Sequence, residues 1–278
     1  MSTVVVWRNS ENENSPTIWA VADTRYSRPG TNQSGRFITT DYGPKLFEID
    51  VIVAASSSSG MFDQIVHYQK IGLGFAGAAL AALCIYSSVS RMLSNLASPF
   101  GDLPSMEDMH FAVSEIARSY TTPIGNQNAI AFCSVGHCFK SGRDEVFLTE
   151  IPHSGSEQTR RVILEQEKLL LLGSHQQEIR QMIQEKDAEP PKFPGTIKIQ
   201  RSPLRVLRHI VGEGTFSDIG GGVDLGILSG GSFRLRSNMK PIDPDESGRN
   251  VTLESMGHDL LGPIGKVGPC IVNIPGMA

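Results

Sequence analysis

Long apolar runs are missing from this sequence of 278 residues. The best candidate for a membrane span, IGLGFAGAALAALCIYSSVSRML from Ile71, holds only about a dozen strongly apolar positions broken by Gly and Ser, against the roughly 20 that a spanning helix needs. It reads instead as a buried turn followed by a helix, and no membrane is expected as a partner. A basic region, an apolar stretch and a cleavage site are also missing from the N-terminus, so secretion is not expected and a cytoplasmic location is. Charge of one sign is lacking as well. Lys and Arg number 25 against 29 Asp and Glu, which leaves no basic face to neutralise phosphates and speaks against a nucleic-acid partner. Cysteine is scarce: Cys84, Cys133, Cys138 and Cys270 follow neither metal nor disulfide spacing and read as free core thiols. The 7 histidines are dispersed, and His137 in VGHCF reads as part of a turn. Neither a metal nor a cofactor is expected.

What is present is apolar material for one large or two modest domains, 40% of residues, at a net charge of −4. TVVVWRN and PTIWAVADTR are β-rich runs on either side of the polar SENENS, the pattern of a hairpin with a longer loop. A Gly/Ser/Thr-rich connection leads to KLFEIDVIVAA, and after a serine-rich break KIGLGFAG is again strand-like. Residues 77–97 carry apolar residues at helical spacing. SMEDMHFAVSEIARSY predicts a second helix, with Ser105 as cap and Asp108 three residues on. Strands follow in AIAFCSVG and DEVFLTEIPH, then RRVILEQEKLLLLGS, the helices HQQEIRQMIQEK and SPLRVLRHIVGEG, and a strand pair near VDLGILSGGSFRLRS. Blocks of strands and helices segregated along one chain indicate an α+β layered fold.

This order, together with five short motifs, resembles the proteasome β-subunits and the bacterial HslV-type peptidase, which are N-terminal nucleophile (Ntn) hydrolases. The motifs are a hydroxyl residue (Ser2) opening the first strand, Asp23 in AVADTR, Lys45 heading KLFEI, GFAGAALAA and LLLLGSHQQE. The resemblance covers residues 2–228, with residues 51–70 read as an insertion and 229–278 as an extension of unknown role. It implies a four-layer αββα sandwich, two antiparallel sheets between helical layers. It further implies a peptide or protein substrate, assembly of identical subunits into stacked rings of six or seven, and room for an ATPase or other regulator.

The chemistry can be argued from the residues. A serine hydroxyl is a weak nucleophile until a base takes its proton. At a free N-terminus the α-amine, with an ordinary pKa of about 7.7 to 8.0, can be that base. Ser2 would carry nucleophile and base together once Met1 is removed, and the first strand would start at once because the terminus is the reactive group. Thr3 is the rival nucleophile. Lys45 would favour the neutral amine and lower the proton affinity of the hydroxyl, and Asp23 would hold the ammonium. Gly77 is either a glycine that opens the first helix or an oxyanion donor. Ser174 either caps a helix or orients the terminal amine, and Asp218 in SDIGGGVD would help orient it.

Two departures from the family pattern stand out. Gly-Ser-Gly becomes Gly173-Ser174-His175, and the serine expected after Asp218 is missing. They support an alternative, a catalytically silent scaffold or binding module. A small-amide hydrolase is a third reading. Ala78 to Leu96 carries apolar residues on more than one face, which predicts a partner surface.

Overall fold

The computed structural model describes residues 3–29, 36–56, 60–121, 129–152, 157–189, 200–241, 251–267, 269–272 and 274–277. The strands of the first half are β1 (Thr3–Asn9), β2 (Thr17–Asp23), β3 (Tyr26–Pro29), β4 (Arg36–Thr40), β5 (Leu46–Ser56), β6 (Phe62–Gly77) and β7 (Leu96–Ser98), with helices α1 (Ala79–Leu93) and α2 (Met106–Thr121). Then come β8 (Ile130–Cys138), β9 (Arg143–Ile151), β10 (Gln158–Val162), α3 (Leu164–Glu167), β11 (Leu169–Gly173), α4 (Gln176–Ala188), α5 (Ser202–Glu213), β12 (Val223–Ser229), β13 (Ser232–Pro241), β14 (Val251–Ser255) and β15 (His258–Asp259). Short strands at Lys266–Val267, Cys270–Ile271 and Gly276–Met277 end the chain. The α+β class is as expected: two sheets, mostly antiparallel, and two helix pairs.

The chain forms two compact units, residues 1–46, 171–227 and 235–278 in one, residues 47–170 and 228–234 in the other. In the first, strands run in the order β11-β1-β2-β12-β13-β14-β15. β1 and β2 pair antiparallel from Val4↔Ala22 to Asn9↔Thr17. Val4, Val5 and Val6 are wholly buried, which is why their run shows no alternation of apolar and polar residues. Trp7 faces Trp19 across the pair, ring centroids 5.7 Å apart, and each indole N–H finds an acceptor, Gln200 O and Thr17 Oγ1. Helix α5 buries Leu204, Val206, Leu207 and Ile210 and stops at Gly214, which takes the left-handed φ of 64°.

The second unit holds the sheet β10-β9-β8-β6-β5-β7, antiparallel through β6, β8, β9 and β10 and parallel where β7 meets β5. The predicted cap of α2 is there as a reciprocal box. Ser105 N donates to Asp108 Oδ2 at 2.8 Å, and Asp108 N to Ser105 Oγ at 3.1 Å.

The structure adds detail to several readings and moves His137. The described parts of the connection after Arg25 pair as β3 and β4. Most of residues 51–70, read as an insertion, continue β5 and open β6, while 57–59 lie outside the described residues. His137 lies inside β8, and the turn follows it. Of the extension 229–278, β13, β14 and β15 enlarge the first sheet. Among the described residues no helix is long and apolar enough to cross a membrane.

Candidate active site

Antiparallel register puts the first residue of β1 beside the last of β2, and this juxtaposition builds the site. Asp23 Oδ1 accepts the Thr3 backbone N–H at 2.9 Å and lies 2.7 Å from Lys45 Nζ. Asp23 Oδ2 accepts two more backbone donors, Arg25 N at 3.2 Å and Gly220 N at 3.1 Å. Thr3, Asp23 and Lys45 are all 0% exposed. Burial depresses the Lys45 ammonium below its ordinary range, and the Asp23 carboxylate opposes that shift. The Tyr26 ring centroid lies 5.8 Å from Nζ, and beyond the ion pair Nζ makes no hydrogen bond among the described residues.

Backbone contacts lace the segments around this pair. Thr24 Oγ1 donates to Asp41 O at 2.6 Å and accepts Gly222 N–H at 2.6 Å, while Gly43 N donates to Thr24 O at 2.8 Å. The glycine run 220–222 follows from this closeness. At Gly221, with φ +77°, a Cβ would stand 2.4 Å from Asp41 O.

A second group forms where β11 turns into α4. Ser174 Oγ donates to Asp218 Oδ2 at 2.7 Å, and His175 Nε2 lies 2.9 Å from Asp218 Oδ1. Thr3 Oγ1 reaches Ser174 O at 3.5 Å, the link between the two groups. The structure thus brings together Thr3, Asp23, Lys45, Ser174 and Asp218, all in the first unit. Ser2 lies outside the described residues. Gly77 ends β6 in the second unit, and its φ of 120°, with Ala129 O 2.3 Å from where a Cβ would be, is reason enough for glycine.

Two site residues escaped the sequence reading. Asp224 on β12 is 4% exposed, accepts Met256 N at 2.7 Å, and has its carboxyl pushed up to about 6, chiefly by burial. Its signal was a lone carboxylate inside the apolar run VDLGILS. His175 was read only as an intrusion, yet it binds Asp218. A cavity of about 680 Å³, lined by His110, Ser114, Arg118 and Arg161 among others, belongs wholly to the second unit and contains none of these residues.

No protein-family model and no curated protein matches this chain. Solved structures do match, and they show an Anbu-like fold. An Anbu (Gly-1) mutant from Hyphomicrobium sp. strain MC1 is 15% identical with TM-score 0.52 over 82% of each chain. Anbu, described as an ancestral beta-subunit, from Yersinia bercovieri is 14% identical with TM-score 0.53 over 82% of this chain and 81% of that one. The Anbu complex from Pseudomonas aeruginosa, solved as a helical assembly, is 13% identical with TM-score 0.52 over the same shares. At these identities the likeness is one of fold.

Proposed function

We propose that the protein is a proteasome-like N-terminal nucleophile peptidase or amidase, with Ser2 as nucleophile after loss of Met1. The observation that carries this reading is the buried Lys45–Asp23 pair at 2.7 Å, with Asp23 also holding the backbone N–H of the residue that follows Ser2. The same contact argues against Thr3. Its nitrogen is tied to Asp23 at 2.9 Å as an N–H at the start of β1, which fits a peptide group better than a free amine base. Lys45 keeps N–H donors beyond its ion pair, suited to a hydroxyl oxygen beside it.

In the proposed reaction the Ser2 amine takes the Oγ proton and Oγ attacks the substrate carbonyl, with the Lys45 charge stabilising the developing oxyanion and alkoxide. The proton passes to the leaving amine, an ester remains on Ser2, and water activated by the freed α-amine hydrolyses it. Ser174 and Asp218 orient the amine.

Assembly is part of the reading. Leu80 and Met92 on α1 and Phe111 on α2 are 77%, 52% and 62% exposed, more apolar surface than a lone helix pair keeps in water. A repeated head-to-tail contact closes into a ring, or winds into a helix where its rotation does not close.

The decisive experiment is labelling with a β-lactone followed by intact mass. One adduct on Ser2, absent in Ser2→Ala, is expected. A purified protein that retains Met1 and takes no label would be the silent scaffold instead. Light scattering should give twelve or fourteen subunits, or longer polymers, and a stable monomer of 30.2 kDa overturns the assembly.

A further inference from the structure

Strand β6 outruns its neighbour β8. The two pair from Gly72 to Gly77, and that register carried on sets the last residue of β8, Cys138, beside Gln69. Among the described residues no strand meets the outer edge of Phe62–Tyr68, whose other edge is taken by β5. From Met61 to Tyr68 the chain reads MFDQIVHY, with one formal charge and neither Lys, Pro nor Gly to blunt an open edge. Met61, Phe62, Ile65, Val66 and Tyr68 are between 42% and 66% exposed. So long, apolar and unguarded an edge is a template for another strand.

We propose that this edge pairs with the same edge of a second copy of the chain, antiparallel about a two-fold axis through Ile65. The segment is complementary to itself in that register. Ile65 meets its own copy, while Asp63 meets His67, Phe62 meets Tyr68 and Gln64 meets Val66, each of these pairs occurring twice. The Asp63 carboxylate accepts an imidazole N–H, and Phe62 with Tyr68 makes an aromatic cross-strand pair. The Tyr68 hydroxyl is satisfied within its own chain by Asp50 Oδ1 at 2.9 Å, so its ring enters the contact without a stranded polar group. Beside His67 lies the half-exposed Phe139, edge to face with centroids 4.6 Å apart, which widens the apolar surface on that side. A slip of two residues sets Asp63 against Ile65 and Phe62 against Val66, and both matches are lost. A strand from an unrelated protein would gain the backbone bonds but not these reciprocal pairs, which is why the second copy is the occupant. The contact joins two six-stranded sheets through β6. It uses neither Asp23 and Lys45 nor the exposed faces of α1 and α2, so it is independent of the proposed function.

The test is particle mass by light scattering, backed by cross-linking. Ile65→Lys changes an exposed side chain and should melt with wild type, yet it sets two ammonium groups face to face on the axis. It should halve the particle mass. His67→Asp, which opposes two carboxylates, should halve it too, and Asp63→Lys combined with His67→Asp, which restores opposite charges, should recover it. Ile65→Cys treated with diamide should give a covalent dimer on a non-reducing gel, since opposed residues of an antiparallel pair have Cα atoms about 4.5–5.5 Å apart, within disulfide reach. Phe62→Cys, whose copy lies roughly 20 Å away in this register, should cross-link no more than wild type. A wild type whose mass Ile65→Lys leaves unchanged, the result if the edge stays open or takes a foreign strand, overturns the proposal. So do dimers formed as readily by Phe62→Cys as by Ile65→Cys. A ring of six or seven subunits that Ile65→Lys leaves whole and undivided would keep the ring reading while removing this one.

Discussion

The two units bury polar groups in opposite ways. Inside the first, the polar interior is charged: Lys45, Asp23, Asp218 and Asp224 are all under 5% exposed. Inside the second, it is mostly neutral, the exception being Glu145, 6% exposed and 2.9 Å from Arg161. His110, 1% exposed, bonds Ser134 Oγ and Thr149 Oγ1, each at 2.9 Å, and Ser114 and Thr159 extend the hydroxyl chain. Burying charges is costly, and a fold tolerates it where each is paired and bonded. A network of hydroxyls around an uncharged ring is what a core needs for its own order. The charged interior is thus the one on which the proposed chemistry rests.

Three measurements would sharpen or break that contrast. The largest effect is expected for Lys45→Ala. Labelling should slow by about 10² to 10³, the loss typical of one preorganised electrostatic group. The pair is fully buried, so denaturant unfolding should also show a loss of about 3 kcal/mol. That sits at the lower end of the usual range because Asp23 keeps three backbone donors. A variant that loses stability and still labels at the wild-type rate would make the pair merely structural.

His110 comes next. Burial depresses its imidazole from 6.5 to about 4. Between those values the unfolded chain binds more protons than the folded one, so stability is full above about 6.5 and drains away as pH falls to about 4, by about 3 kcal/mol. His110→Gln should be less stable at neutral pH and should lose this contribution, its stability relative to wild type rising as pH falls through the window. Denaturant midpoints against pH read the difference.

Asp224 should slope the other way over a narrower window. Its carboxyl is raised from 3.8 to about 6, so the folded chain binds more protons in between, and stability is lost as pH rises through that range, by at most about 3 kcal/mol. Asp224→Asn should therefore gain on wild type between those pH values, and equal slopes for the two proteins would count against a buried ionised Asp224. Opposite pH slopes from the two interiors are the signature of the contrast itself.

Much of this was legible in residues. The runs of β1 and β2, the Ser105–Asp108 box, Gly214 after α5 and the two helix pairs all follow from local propensity and spacing. Asp23 and Lys45, which the structure pairs at 2.7 Å, were singled out because motif and order agreed. His175 and Asp224 were not, because a turn's φ and a strand's burial are properties of the surroundings. In residues 51–70 the serine-rich middle signals a break, while the flanks belong to two long strands.

The sequence by itself determined which segments become strands and helices, where they stop, and that hydroxyl, carboxylate and ammonium groups lie at the right points along the chain, since these depend on neighbours a few residues away. Only the tertiary structure decided that Asp23 holds Thr3 and Lys45 at once, that Asp218 is shared by Ser174 and His175, and that Asp224 is sealed from water. Those outcomes rest on segments some 20 to 200 residues apart meeting in a low-dielectric interior, where a charge's behaviour is set by what touches it rather than by what precedes it.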